Sequence, residues 1–242
     1  MALIPLPTLP DRCRQPELMD QPGLKPILHK RALEGLGRIN AVSRTNAILW
    51  RPIASVAAAA YKENDTICVL DVATGGGAIP IALSRRAARR GLNVRVDGCD
   101  KSSQAIKFAS KEAAARGVQS RFFVHDALSQ PLPGDYDVIM CSLFLHHLDE
   151  ADAIELLQRM TRAAERLVMV DDLIRSRLGY MLAYLGCRLL STSRIVHVDG
   201  PISVAAAFTT EEALELALKA GLRDATLVRH WPQRFLLSWR VR

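Results

Sequence analysis

A chain of 242 residues, 49% hydrophobic and 24% charged, has the composition of a globular protein that buries a core as one domain with an appendage. Its net charge of +7 would attract phosphates, but aromatics make up only 5% and none interleave with the densest basic run, at 85–90, so nucleic acid is disfavoured and that run reads as a solvated helix face. No run reaches the roughly 20 apolar residues of a membrane span, the proline-rich start does not resemble a secretory leader, and five separated cysteines (Cys13, Cys68, Cys99, Cys141, Cys187) without a CxxC pair fit neither a disulfide framework nor a zinc site, so the expected compartment is cytoplasmic.

Residues 1–24 are rich in proline and lack periodicity, which predicts an extended or poorly ordered arm. From Pro26 to Ser43, Leu28, Ala32, Leu36, Ile39 and Val42 recur at helical spacing, and a second helix is predicted from Thr45 to Tyr61, kinked or restarted at Pro52. The pattern then changes. Short β-branched runs at 66–72, 93–100, 121–127, 136–142 and 166–172 alternate with helical segments, the signature of a parallel sheet covered on both faces. Residues 173–190 read as an apolar helix and 191–208 as an irregular stretch. A further helix opens at a capping box, Thr209 with Glu212, and stops at Gly221; two strands in hairpin order end the chain. The predicted class is α/β: a Rossmann-like, seven-stranded, mostly parallel sheet with helices on both faces.

One motif carries chemistry. In "VLDVATGGGAIPIAL" (69–83) three glycines join a strand to a helix, which aims backbone N–H groups and a positive helix end at the carboxyl edge of the sheet. Pro80 stands where the dinucleotide fingerprint needs its third glycine, no Lys-Ser/Thr pair completes a P-loop, and the chain has no Tyr-x-x-x-Lys pair. An NAD-dependent oxidoreductase is therefore disfavoured.

Asp71, Ala73, Gly75 and Gly77 resemble motif I of the class I S-adenosylmethionine-dependent methyltransferases, D-x-G-x-G-x-G, with Ala73 in place of the first glycine as in ubiquinone and menaquinone C-methyltransferases. The resemblance implies S-adenosylmethionine as cofactor and S-adenosylhomocysteine as product. It sets Asp71 at the cofactor's amino-acid end and the turn from Ala73 through Thr74 and Gly75 to Gly77 against methionine and ribose. It also sets Asp100 at the ribose hydroxyls beside Lys101 and Ser102, Asp126 and Ala127 at the adenine, and Cys141 and Ser142 beneath the reactive methyl group.

The methyl acceptor is less legible. "CSLFLHHL" follows the fourth strand where amino-methyltransferases acting on bases carry Asn/Asp-Pro-Pro-Tyr, and there is no recruitment domain. His146 and His147 read either as a proton acceptor or as a structural feature beside the cofactor, and His197 with Asp199 form a second polar candidate, although Asp199-Gly200-Pro201 also reads as a turn. Trp50 and the first 62 residues are expected to form a lid over the domain at 63–242, and an insert at 173–208, with Tyr180, Tyr184 and Phe208, to wall the acceptor pocket. Together with "ALEGLGRIN" and "VDGPISVAAAFT", the chain is similar to bacterial methyltransferases associated with type III polyketide synthases, which implies a phenolic or quinol-like lipophilic acceptor, methylated on oxygen or ring carbon. Peripheral membrane contact and a noncatalytic cofactor-binding scaffold stay open.

Overall fold

The computed structural model describes residues 9, 11–21, 23–60 and 65–241; the start of the predicted arm and Tyr61, the expected end of the second helix, lie outside them. Helices α1 (Pro26–Val42) and α2 (Thr45–Ala60) come first, α2 running unbroken through Pro52. Then follow β1 (Ile67–Val72), α3 (Ala78–Arg89), β2 (Val94–Asp100), α4 (Ser103–Ala115), β3 (Phe122–Val124), β4 (Tyr136–Ser142), α5 (Glu150–Ala163) and β5 (Ala164–Leu173). Helices α6 (Arg177–Leu190), α7 (Arg194–Ala206) and α8 (Thr210–Lys219) precede β6 (Thr226–His230) and β7 (Arg234–Arg240).

The seven strands lie in the order β3-β2-β1-β4-β5-β7-β6. β1 pairs in parallel with β2 and β4, while β7 runs antiparallel between β5 and β6, as the hairpin-like terminal sequence predicts. Successive side chains enter opposite cores, because strand residues alternate faces. Val69, Val138, Met140, Leu167 and Met169 pack beneath α2 and α3, while Leu70, Val72, Ile139, Cys141, Val168 and Val170 pack against α5 and α8. A third cluster, Ala32, Cys187, Ile195 and Val196 with Leu36 and Ile39, joins α1, α6 and α7 beyond the sheet.

Two expectations fail. The stretch at 191–208 is mostly helical, not irregular: Gly200 and Pro201, which read as a turn, lie inside α7, where a Cβ on Gly200 would sit 2.3 Å from the Cys187 sulfur of α6. The glycine thus serves close helix packing rather than chain reversal. Trp50, expected to wall a pocket, is 3% exposed in the core between α2 and the sheet, with the Arg86 guanidinium 5.5 Å from its ring centre.

Candidate active site

The parallel strands leave their carboxyl ends along one edge of the sheet, and a cavity of about 1690 Å³ opens there. The turn after β1 forms one wall. Thr74 N donates to Cys99 O at 2.9 Å, and Thr74 crosses Gly98 of β2 so closely that a Cβ there would meet its side chain at 2.8 Å. Ala73, Gly75 and Gly77 take φ of 55°, 54° and 72°. Ala73 therefore holds a left-handed conformation that costs a side-chain-bearing residue roughly 1 kcal/mol.

Asp71 is 2% exposed at the head of this turn. Thr74 Oγ1 donates to its Oδ2 at 2.7 Å, but Oδ1 has no hydrogen-bond partner among the described residues. Burial, reinforced by the Asp100 charge and opposed by the Thr74 bond, pushes its carboxyl up to about 7. Asp100 accepts Gly75 N on Oδ2 and Ser102 N on Oδ1, both at 2.8 Å, and so ties the turn to the start of α4, which Ser102 caps. At the end of β3, Asp126 accepts Leu128 N at 3.0 Å, a bond that holds its carboxyl below the usual range. The neighbouring His125 leaves its buried Nε2 without a partner among the described residues.

Of the residues predicted at the cofactor, Asp71, Ala73, Thr74, Gly75, Asp100, Lys101, Ser102, Asp126, Ala127 and Ser142 line this one cavity. Gly77 and Cys141 do not. A Cβ on Gly77 would lie 2.8 Å from both the Ala109 Cβ and the Phe122 ring, so that glycine packs α3 against α4 and β3. Cys141 points into the α5 core, where burial drives its thiol far above the usual range, and Ser142, the next residue, faces the site instead.

Across the cavity His146 and His147 form a 3₁₀ turn with ring centres 4.3 Å apart. His146 Nδ1 lies 2.7 Å from Asp172 Oδ1, its backbone N donates to Asp172 Oδ2 at 3.0 Å, and its Nε2 is 3.6 Å from Glu17 Oε1. Burial alone would lower the imidazole, but Asp172 and Glu17 outweigh it and raise His146 to about 9. The arrangement is a carboxylate–imidazolium–carboxylate chain. The ligand-capable atoms of Glu17, His146 and His147 lie within 4.8 Å of one another, a spacing a cation could bridge only after His146 loses its proton.

The second polar pair is engaged elsewhere. Asp199 accepts Leu18 N and Met19 N at 2.9 and 3.0 Å, pinning the N-terminal segment, and His197 Nε2 meets Ser191 O at 2.6 Å; neither residue lines the cavity. Both are corrected from catalytic candidates to positioning roles in α7. Tyr180, Tyr184 and Phe208 are also displaced from the pocket wall. α6 turns Gly179, Leu182, Ala183, Gly186 and Leu190 to the cavity, Tyr184 stacks under the Arg188 guanidinium at 3.5 Å, and Phe208 is buried beneath Arg12 at 3.6 Å.

Sequence reasoning missed Glu17, Leu143, Asp171 and Asp172. Leu143 takes φ 56° at the cavity, an uncommon conformation for a bulky residue. Asp171, fully buried, accepts Ser142 Oγ at 3.1 Å, Arg234 Nη1 at 3.3 Å and the proton shared with His230 Nε2 at 2.6 Å, while Arg234 reaches Thr45 and Asn40. The "VDD" end of the fifth strand was legible as a pair of acids. Glu17 gave no signal, because its place depends on a segment 129 to 186 positions away from its partners.

A seven-stranded sheet of this order, with an antiparallel β7 and a glycine turn after β1 facing an acid at the end of β2, is the fold of the class I S-adenosylmethionine-dependent methyltransferases. Residues 69–166 match the family described as methyltransferase domain. The chain is 32% identical over 124 residues to a demethylmenaquinone methyltransferase of Deinococcus radiodurans, a match covering 50% of this chain and 48% of the relative. It is 30% identical over 125 residues to a ubiquinone biosynthesis O-methyltransferase of Cupriavidus pinatubonensis, covering 50% and 47%. The chain thus spans about half the length of the curated relatives it matches. In fold it resembles the apo crystal structure of the S-adenosylmethionine-dependent methyltransferase SibL, at TM-score 0.64 and 20% identity over 96% of this chain and 64% of the other.

Proposed function

We propose that this chain transfers a methyl group from S-adenosylmethionine to a lipophilic small molecule of phenolic or quinol type, on oxygen or ring carbon. The observation that carries the reading is one continuous cavity with two unlike ends. At one end Asp71 keeps a buried oxygen without a partner among the described residues, which suits the amino group of the cofactor, and Asp100 offers a carboxylate beside the turn. At the other, Leu36, Ile39, Leu182, Ala183 and Leu190 supply an apolar wall. The similarity to methyltransferases named for menaquinone and ubiquinone biosynthesis supports an acceptor of this chemistry.

Bound on the β1 turn, the cofactor would supply an electrophilic methyl on a sulfonium. This chain's own residues hold the acceptor, exclude water and take its proton. His146 is committed to Asp172 and Glu17, so it fixes its neighbour. In this reading His147, with a quarter of its side chain exposed and lining the cavity, accepts the proton.

Purified protein incubated with isotopically labelled S-adenosylmethionine and a panel of alkylated phenols and quinols tests the reading by mass spectrometry. A singly methylated phenolic product, lost in His147→Ala with cofactor affinity kept, is the expected result. Methylation confined to tRNA or protein would overturn it.

A further inference from the structure

Helix α6 is covered on one side only. Leu178, Met181, Leu185 and Leu189 are exposed by 48, 38, 50 and 84%, and at 100° per residue they fall in one arc of about 80°. Going round the helix, the stripe is bounded on one edge by Arg177 and Arg188, and on the other by Leu182 and Gly186, which line the cavity. The stripe reaches the cavity itself, because Leu185 and Leu189 are part of its rim. Trp231, 60% exposed, stands on the same rim and belongs to the turn whose Gln233 bonds Ser176, the N-cap of α6.

Charge decides what can cover such a face. Between Asp172 and Asp199 there is no acidic residue, while Arg175, Arg177, Arg188 and Arg194 all fall in that interval. Arg175 is buried against Glu212, and the other three are exposed. A second copy docked stripe to stripe with its helix antiparallel, about a two-fold axis across the helices, would bring arginines against arginines. An apolar stripe flanked by cations and by Tyr184 and Trp231 is instead the pattern of a helix lying in a bilayer interface.

We propose that α6 docks this protein on an anionic phospholipid bilayer, with the leucine and methionine side chains at the acyl boundary and Arg177 and Arg188 among the headgroups. The mouth of the cavity then opens onto the membrane, so that a lipophilic acceptor enters without crossing water. The inference deepens the reading of an apolar acceptor and rests on it for its purpose, although the docking itself needs neither cofactor nor acceptor.

The full chain is mixed with vesicles of equal phosphatidylcholine and phosphatidylglycerol, or of phosphatidylcholine alone, and floated on a density gradient. Leu178 and Met181 lie outside the cavity lining, so Leu178→Glu/Met181→Glu leaves the site intact. Wild-type protein is expected to float with the anionic vesicles, the double variant to stay behind with an unchanged melting temperature, and each of Arg177→Ala and Arg188→Ala to weaken binding roughly fivefold. Failure of the wild type to float, equal flotation of the variant, or a dimer in sedimentation velocity that the same variant dissolves would each overturn the proposal. Methyl transfer to a detergent-dispersed phenol is measured alongside: activity there without flotation sinks the docking alone, and flotation without activity sinks the proposed reaction alone.

Discussion

Asp71→Asn separates what this carboxylate does for the fold from what it does for a ligand. A carboxyl lifted from 3.8 to about 7 is protonated more readily folded than unfolded, so its ionised form opposes folding. The sign follows: stability is highest below the unfolded value and is lost as pH rises through the range up to about 7. Fully ionised, the penalty is about 4 kcal/mol at 1.36 kcal/mol per pH unit, and about 2 kcal/mol of it is already present at pH 5. Asparagine removes the charge and still accepts from Thr74 Oγ1, but leaves an unpaired amide donor costing about 1–3 kcal/mol. At pH 8 the variant is therefore expected to be about 1–3 kcal/mol more stable than wild type without ligand, and at pH 5 to lie within about 1 kcal/mol of it. For S-adenosylmethionine the order reverses: loss of a buried charge partner predicts at least about 10- to 100-fold weaker binding. Chemical denaturation at the two pH values and calorimetric titration of the cofactor read both effects. A variant less stable at pH 8, or one that binds the cofactor as wild type does, would refute the reasoning.

Gly77→Ala combines a left-handed φ of 72° with a Cβ 2.8 Å from Ala109 and Phe122, and is expected to cost about 2–4 kcal/mol in a denaturant midpoint; under 1 kcal/mol would mean that α3 shifts freely. His146, raised from 6.5 to about 9, adds stability that is complete below pH 6.5 and disappears as pH passes 9, about 3 kcal/mol in all; the alkaline fall in melting temperature should flatten in His146→Gln, and an unchanged profile would remove the imidazolium from the account. Arg234→Met takes the arginine partner from the fully buried Asp171, which keeps Ser142 and His230, and should cost about 3–5 kcal/mol, most of it recovered in Arg234→Met/Asp171→Asn; additive losses in that cycle would mean the two do not act as a pair.

The sheet half of the molecule is legible because its signals are local. Each β-branched run, the glycine turn and the capping box at Thr209 are set by neighbours within a few positions, and they recover the strands and most of the cavity edge. The acceptor side reads poorly for the opposite reason. Which face α6 shows to the cavity depends on its packing against α1 and α7, so Tyr180 and Tyr184 attract attention as aromatics while Gly179, Ala183 and Gly186 form the wall. Asp199 looks like chemistry in sequence and is a backbone anchor in space, and Gly200 and Pro201 imitate a turn that close helix contact makes unnecessary.

The way the N-terminal segment is held bears on the order in which the molecule assembles. Arg12 donates to the carbonyls of His146, Leu148 and Ala206, and Cys13 N to Ala205 O, across 134 to 194 positions of sequence. A ribosome therefore delivers this piece well before its docking sites. The turn after β1 and the strand ends beside it meet over far shorter spans, 25 residues from Gly75 to Asp100. Contacts that close long loops form late, so the glycine turn takes shape while Glu17 is still unattached, and the wall against His146 is completed only when α7 has emerged.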